Sequence, residues 1–225
     1  MKKIVSMVAG VALAGLVASA ADPVYSVNAV GYVTKSLPAN GIALFGAPFA
    51  KVGQNNARLT VQDVLGITGI PDTTIVYIFN GTDYQPEYFF APDTWVPGTN
   101  LLSRVDGFWV STPEAATFQL TGEVPSALYA TNTTSVIASG FQIISYPYPA
   151  TVAVTNTMLN TRAVAGDGDI IYAWNGSDYN PYYYGIAGDT WYPDGLTFQP
   201  GVGYWYYREA AGSVVWSETK PYNWP

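Results

Sequence analysis

The chain repeats itself. Asn80-Gly81-Thr82-Asp83-Tyr84 returns as Asn175-Gly176-Ser177-Asp178-Tyr179, Asp93-Thr94-Trp95 as Asp189-Thr190-Trp191, and Gly107-Phe108-Trp109 as Gly203-Tyr204-Trp205. Pro86 answers to Pro181, Pro97 to Pro193, and Gly41 with Pro48 to Gly140 with Pro147. The matches are collinear, and their spacing stays between 95 residues (80 to 175) and 99 residues (41 to 140), as small insertions would make it. Such a chain is expected to fold as two copies of one small unit. The units are assigned to 21–125 and 126–225, with residues 1–20 set apart. No linker stands out between them, because 126–139 aligns with 27–40.

The local pattern is β. Ile75 to Phe79 and Ile170 to Trp174 are short runs of β-branched and aromatic residues. Each leads into Asn-Gly, which predicts a hairpin with a type I′ turn. Pro86 and Pro181 fall in the return strands, where a missing N–H predicts an edge or a bulge. Gly107 and Gly203 open an aromatic strand and predict a bulge or a close backbone approach. Helix is confined to Leu59–Leu65, with Thr60 as N-cap, Asp63 at N3 and Gly66 as the stop; Thr155–Leu159 is its weaker counterpart. The expectation is an all-β protein of two tandem β-sandwich or open-barrel repeats. Each has six or seven short strands and at most one short helix.

The N-terminus reads as an export signal. Met1-Lys2-Lys3 is followed by an apolar run to Val17 and by Ala18-Ser19-Ala20. Those are the three parts of a secretory signal peptide cleaved after residue 20. No Cys follows, so a lipoprotein is excluded, and no later stretch is apolar for long enough to span a bilayer as a helix. The predicted location is secreted, periplasmic or at the cell surface.

These features together resemble a family of exported bacterial tandem-repeat β proteins with no established function. The resemblance rests on the signal peptide, the Ser26-Val27-Asn28-Ala29-Val30-Gly31-Tyr32 strand and the Gly41–Pro48 segment. It extends to the Asn-Gly hairpin and to Pro200-Gly201-Val202-Gly203-Tyr204-Trp205. It implies export and β structure, and it carries over no reaction and no catalytic residue. The first copy departs from the Pro-Gly-x-Gly form, reading Arg104-Val105-Asp106-Gly107.

Composition narrows the function. With neither His nor Cys, the chain lacks imidazole and thiolate chemistry, His-based triads and disulfides. Only 11% of residues are charged and the net charge is −7, which disfavours nucleic acid as a partner. Aromatic residues are abundant, with 18 Tyr, 9 Phe and 7 Trp. Trp109 and Trp205 are assigned to the core. Trp95 and Trp191 are open between core and a sugar-stacking platform, joined by Tyr84, Tyr179, Tyr183 and Tyr206. The continuous runs Tyr182–Tyr184 and Tyr204–Tyr207 make the second copy the better candidate for a sticky face. Asp167-Gly168-Asp169 is read as a turn, with Asp167 and Asp169 a weak calcium candidate. Asp93 and Asp189 are the first pair to test for a hydrolase. Asn80, Asn132 and Asn175 stand in glycosylation sequons that matter only in hosts running that pathway.

The reading is an exported, non-catalytic structural or adhesive protein of the cell surface or extracellular matrix, without cofactor. Its partners are itself or other surface proteins, and polysaccharide as the alternative. Nucleic acid is excluded, as is the membrane once the signal is cleaved.

Overall fold

The computed structural model describes residues 29–54, 57–126 and 132–223. The predicted export signal, residues 1–20, lies outside the described residues. The first half contains β1 (Val30–Leu37), β2 (Gly41–Gly46), β3 (Leu59–Thr60) and the helix α1 (Val61–Leu65). β4 (Ile75–Phe79), β5 (Tyr84–Phe90), β6 (Thr94–Val96), β7 (Leu101–Leu102), β8 (Gly107–Thr112) and β9 (Ala116–Glu123) follow. The second half contains β10 (Asn132–Ser145), β11 (Val152–Ala153), two 3₁₀ turns, and β12 (Ile170–Trp174). It ends with β13 (Tyr179–Gly185), β14 (Gly188–Tyr192), β15 (Thr197–Phe198) and β16 (Gly203–Thr219). The fold is all β and antiparallel, as the sequence predicts.

Both halves use one strand order. The first five-stranded sheet runs β2-β8-β4-β5-β6 and the second runs β10-β16-β12-β13-β14. Neither order closes on itself, so the sheets are open. Each curls over its own core, which includes Phe45, Val76, Phe89, Trp95 and Phe108 in the first half. The second core includes Ile144, Ile171, Tyr184, Trp191 and Tyr204. Pro86 and Pro181 sit where β5 and β13 are locally edges, because β6 and β14 pair only from Tyr88 and Tyr183 onward.

Local chemistry explains the remaining elements. Thr60 and Asp63 form the predicted capping box: the Asp63 N–H donates to Thr60 Oγ1 at 3.1 Å and the Thr60 N–H to Asp63 Oδ2 at 2.9 Å. In the second half Ala153 stands at the cap and offers no side-chain oxygen, and the segment forms only 3₁₀ turns. The hairpins correct the turn type. Each has a four-residue loop, in which Asn80 Oδ1 accepts the N–H groups of Thr82 and Asp83, and Asn175 Oδ1 those of Ser177 and Asp178. Asn therefore acts by capping the loop with its side chain, while Gly81 and Gly176 take the positive φ.

The halves dock by reciprocal contacts, as under an approximate two-fold. Gly46 N–H donates to Gly201 O at 3.0 Å, and Ser145 N–H to Val105 O at 2.7 Å. Around that seam the outer sheet faces share a cluster of Leu44, Trp109 and Ile143, flanked by Tyr77, Phe79, Trp174, Tyr179 and Trp205. Phe79 meets Trp205 edge-on at 5.0 Å, and Trp109 meets Trp174 edge-on at 5.5 Å. This seam fixes Gly107 and Gly203. A Cβ on Gly203 would lie 2.6 Å from Phe45 O and 3.4 Å from the Gly107 Cα, so the backbones approach too closely for any side chain.

Candidate functional site

Trp95 and Trp191 are core, whereas the expectation of core for Trp109 and Trp205 is corrected: both lie on the outer sheet face at the seam, Trp109 buried there and Trp205 half-buried. Trp95 and Trp191 are 5% and 1% exposed, and each donates its indole N–H at 2.9 Å to a carbonyl, Gly66 O or Leu159 O. Each thus ties the edge of its sheet to the end of the short helical segment, which is why Asp-Thr-Trp recurs. Tyr206 is also buried, because β16 turns Tyr204 and Tyr206 inward; its hydroxyl donates to Asp169 Oδ2 at 2.6 Å. A sugar platform on Trp95, Trp191 and Tyr206 is therefore corrected to core. Tyr84 is exposed, whereas Tyr179 and Tyr183 are half-buried on the outer sheet face. The docked halves also absorb the outward rings of the aromatic runs: Trp205 packs on Phe79 and Phe141.

The carboxylates divide likewise. Asp169 is fully buried and accepts from Gly166 N–H, Glu209 N–H and Tyr206 OH, with the Arg208 guanidinium 3.6 Å away. Asp167 instead pairs with Arg162 at the surface. The two do not form a calcium site, since the oxygens of Asp169 are already committed to donors inside the core; the segment is the turn the sequence suggests. Asp189 shares Arg162 at 2.7 Å, and Asp93 is exposed beside Thr94.

The seam leaves two grooves, one on each side of the approximate two-fold. The larger encloses about 670 Å³. It lies between the β4–β5 hairpin with the Asn100–Gly107 segment of the first half and the bent strand β10 of the second. Phe141 forms an exposed aromatic wall, its ring 4.7 Å from that of Tyr207 and tilted by 44°. Opposite it stand Gln85, Asn100, Asp106 and Arg58, with Gln142 and Ser135 beside it. The smaller groove, about 350 Å³, is lined by the β1–β2 corner, Trp174, Val202 and Gly203.

Asp106 anchors the larger groove. Its Oδ2 accepts the Ser103 N–H at 2.7 Å and faces the Arg58 guanidinium at 3.6 Å. Burial pushes its carboxyl above the ordinary value, against the pull of that N–H and of Arg58. Arg58 also donates to Leu101 O at 2.9 Å, which holds its planar head along the rim. Gln85, Asn100 and Ser135 make no side-chain hydrogen bond to another described residue, and Gln142 uses only its N–H₂, on Ala138 O at 3.1 Å.

Comparison of the chain with family models, with curated proteins and with solved structures finds no match. Sequence reasoning missed Arg58, Gln85, Asn100, Asp106, Phe141 and Gln142 because it sought a site where the copies agree. The usable signal was their disagreement. Asp106 stands where the second copy has Val202, Asn100 where it has Leu196, and Gln142 where the first copy has Ala43.

Proposed function

We propose that this is an exported, non-catalytic structural or adhesive protein of the cell surface or extracellular matrix, and that copies of it associate through the outer faces of the sheets. The observation that carries this reading is the row of exposed apolar side chains beside the sheet edge. Tyr88, Phe90 and Val96 stand 40%, 48% and 43% exposed on β5 and β6, and Tyr192 stands 53% exposed on β14. Tyr88 lies directly across from Val96, and Tyr183 across from Tyr192. None of β5, β6, β13 and β14 carries a Lys or Arg, the usual guard of a sheet edge. A contiguous apolar strip at an unguarded edge favours contact with another surface. The larger groove disfavours glycoside hydrolysis there: among the described residues its lining holds one carboxylate, Asp106, and that reaction uses two.

Sedimentation tests the proposal. The purified protein is expected to show mass above the monomer at micromolar concentration, and Tyr88→Ser with Phe90→Ser to return it to the monomer. A strictly monomeric native protein across the range overturns the reading. The alternative of carbohydrate binding moves away from the tryptophans to the groove, which is a separate surface.

A further inference from the structure

We propose that the larger groove between the halves is a binding site for a neutral oligosaccharide, held against Phe141 and hydrogen-bonded by Asn100, Gln85 and Gln142. This goes beyond the adhesive reading, uses a different surface and fails or holds independently of it.

Three observations carry the proposal. First, the chemistry is complementary to a sugar ring. Phe141 offers a flat apolar face, 49% exposed and braced from behind by Tyr207 and Trp205. Around it lie amide and hydroxyl groups with free donors and acceptors, able to meet hydroxyls in pairs. A volume of about 670 Å³ falls within the range of small-ligand sites.

Second, the charge argues for a neutral ligand. Among the described residues the only charged members of the lining are Arg58 and Asp106, and they face each other at 3.6 Å. Neither an anion nor a cation finds an unpaired counter-charge there. An extended peptide is disfavoured too. Although β10 is an edge strand, its ladder is interrupted by the bulge between Ala138 and Gly140, in the middle of the groove. A bulge spoils the row of N–H and C=O groups that strand addition needs.

Third, the molecule contains its own control. The smaller groove occupies the corresponding place and docks the halves by the corresponding backbone bonds, with Val202 in place of Asp106 and Ala43 in place of Gln142, while Leu196, the counterpart of Asn100, is withdrawn into the second core. Docking therefore does not require the polar side chains. A serine lines both grooves, Ser36 and Ser135, but Asn100, Asp106 and Gln142 line one side only, which a ligand would explain and packing would not.

The test is calorimetric titration of the purified protein with linear neutral oligosaccharides of the glucose, xylose, mannose and N-acetylglucosamine series. A uronic-acid oligomer and an extended peptide serve as competing probes. One neutral series is expected to bind. Phe141→Ala and Asn100→Leu, the second importing the other half's residue, should each weaken it by about tenfold or more. Tyr88→Ser, away from the groove, should leave binding unchanged. If Phe141→Ala fails to fold, Asn100→Leu and Gln142→Ala decide the matter, since neither side chain is buried. Absence of binding by every neutral series overturns the proposal, as does preference for the acidic or peptide probe, or binding indifferent to both groove variants. Self-association lost with groove binding intact would sink only the adhesive reading.

Discussion

The first half breaks its opening strand at Pro38 and its closing strand at Pro113, whereas the second half runs both through. β1 and β2 are separate strands, paired to β9 and β8, and the gap between them holds Pro38-Ala39-Asn40 opposite Pro113-Glu114-Ala115. In the second half β10 and β16 cross the same bend as single strands of 14 and 17 residues, and a bulge at Ala138/Gly140 absorbs the turn. One bend is thus made twice, by removing ladder donors in one place and by adding unpaired residues in the other. What the fold demands is the bend; the residues that make it are free to differ. The grooves obey the same logic, because each lies against one of these corners and takes its lining from residues the fold leaves free.

The sharpest way to break this comparison is at positions where the halves agree. Trp191→Ala removes a ring that touches Tyr184 at 5.3 Å and Tyr206 at 6.0 Å, and strands the Leu159 carbonyl. It should cost about 3–5 kcal/mol. Trp95→Ala, with Phe89 at 5.1 Å and the Gly66 carbonyl as partner, should cost nearly as much. Denaturant unfolding measures both. A loss under about 1 kcal/mol in either would show that the two tryptophans are not equivalent core residues.

Those tryptophans also mark how far the sequence could be read. The hairpin strands, the capping box, the edge prolines and the close approach at Gly107 and Gly203 were legible, because each rests on a local rule: alternation, a cap, a missing N–H, a missing Cβ. The expectation of six or seven short strands per unit was not met, since the first half has nine among the described residues and the second runs two of its strands to 14 and 17 residues. The fate of the aromatic runs was not legible. Alternation demands an outward ring in Tyr204–Tyr207, but the expectation of Trp205 in the core fails because nothing local says that Phe79 of the other half waits to cover it. The groove was hidden for the same reason. Phe141 and Asn100 lie 41 positions apart (100 to 141) and meet only because the halves dock.

A smaller effect is expected where the halves disagree inside the core. Asp169, Tyr206 and Arg208 form a buried polar group in the second half, where the first half has Thr74, Val110 and Thr112. Tyr206→Phe leaves Asp169 Oδ2 short of a donor and should cost about 1–3 kcal/mol. The triple exchange Asp169→Thr, Tyr206→Val and Arg208→Thr, importing the first half's solution, removes the buried charges together with their mutual partners, so its cost should fall short of the sum of the three single losses. Additive losses in the triple variant would mean that the two cores are not interchangeable here. Unfolding midpoints decide between the outcomes.

The smallest effect is a difference in pH response. In the first half, burial pushes Asp63 upward, but the Thr60 N–H, Lys51 and the Thr60 hydroxyl outweigh it and hold its carboxyl below 3.8. Its unfolded form binds protons more tightly, so its contribution is present above that value and lost as pH falls through the folded one. The second half has Asn156 at that position and no such dependence. It carries Glu218 instead, whose Oε1 accepts Met158 N–H at 2.7 Å and Trp216 Nε1–H at 2.6 Å. Burial pushes Glu218 above 4.5, and those N–H donors recover only part of the shift. Here the folded state binds the proton more tightly, so the contribution is complete below 4.5 and declines as pH rises through the folded value. The two carboxylates therefore slope in opposite directions across the acid range. Asp63→Asn should remove part of the loss on the acid side, and Glu218→Gln should remove part of the decline on the other, each seen as a change in slope of the unfolding midpoint against pH. Slopes of the same sign for the two variants would mean that Glu218 is better served by its donors than its burial implies.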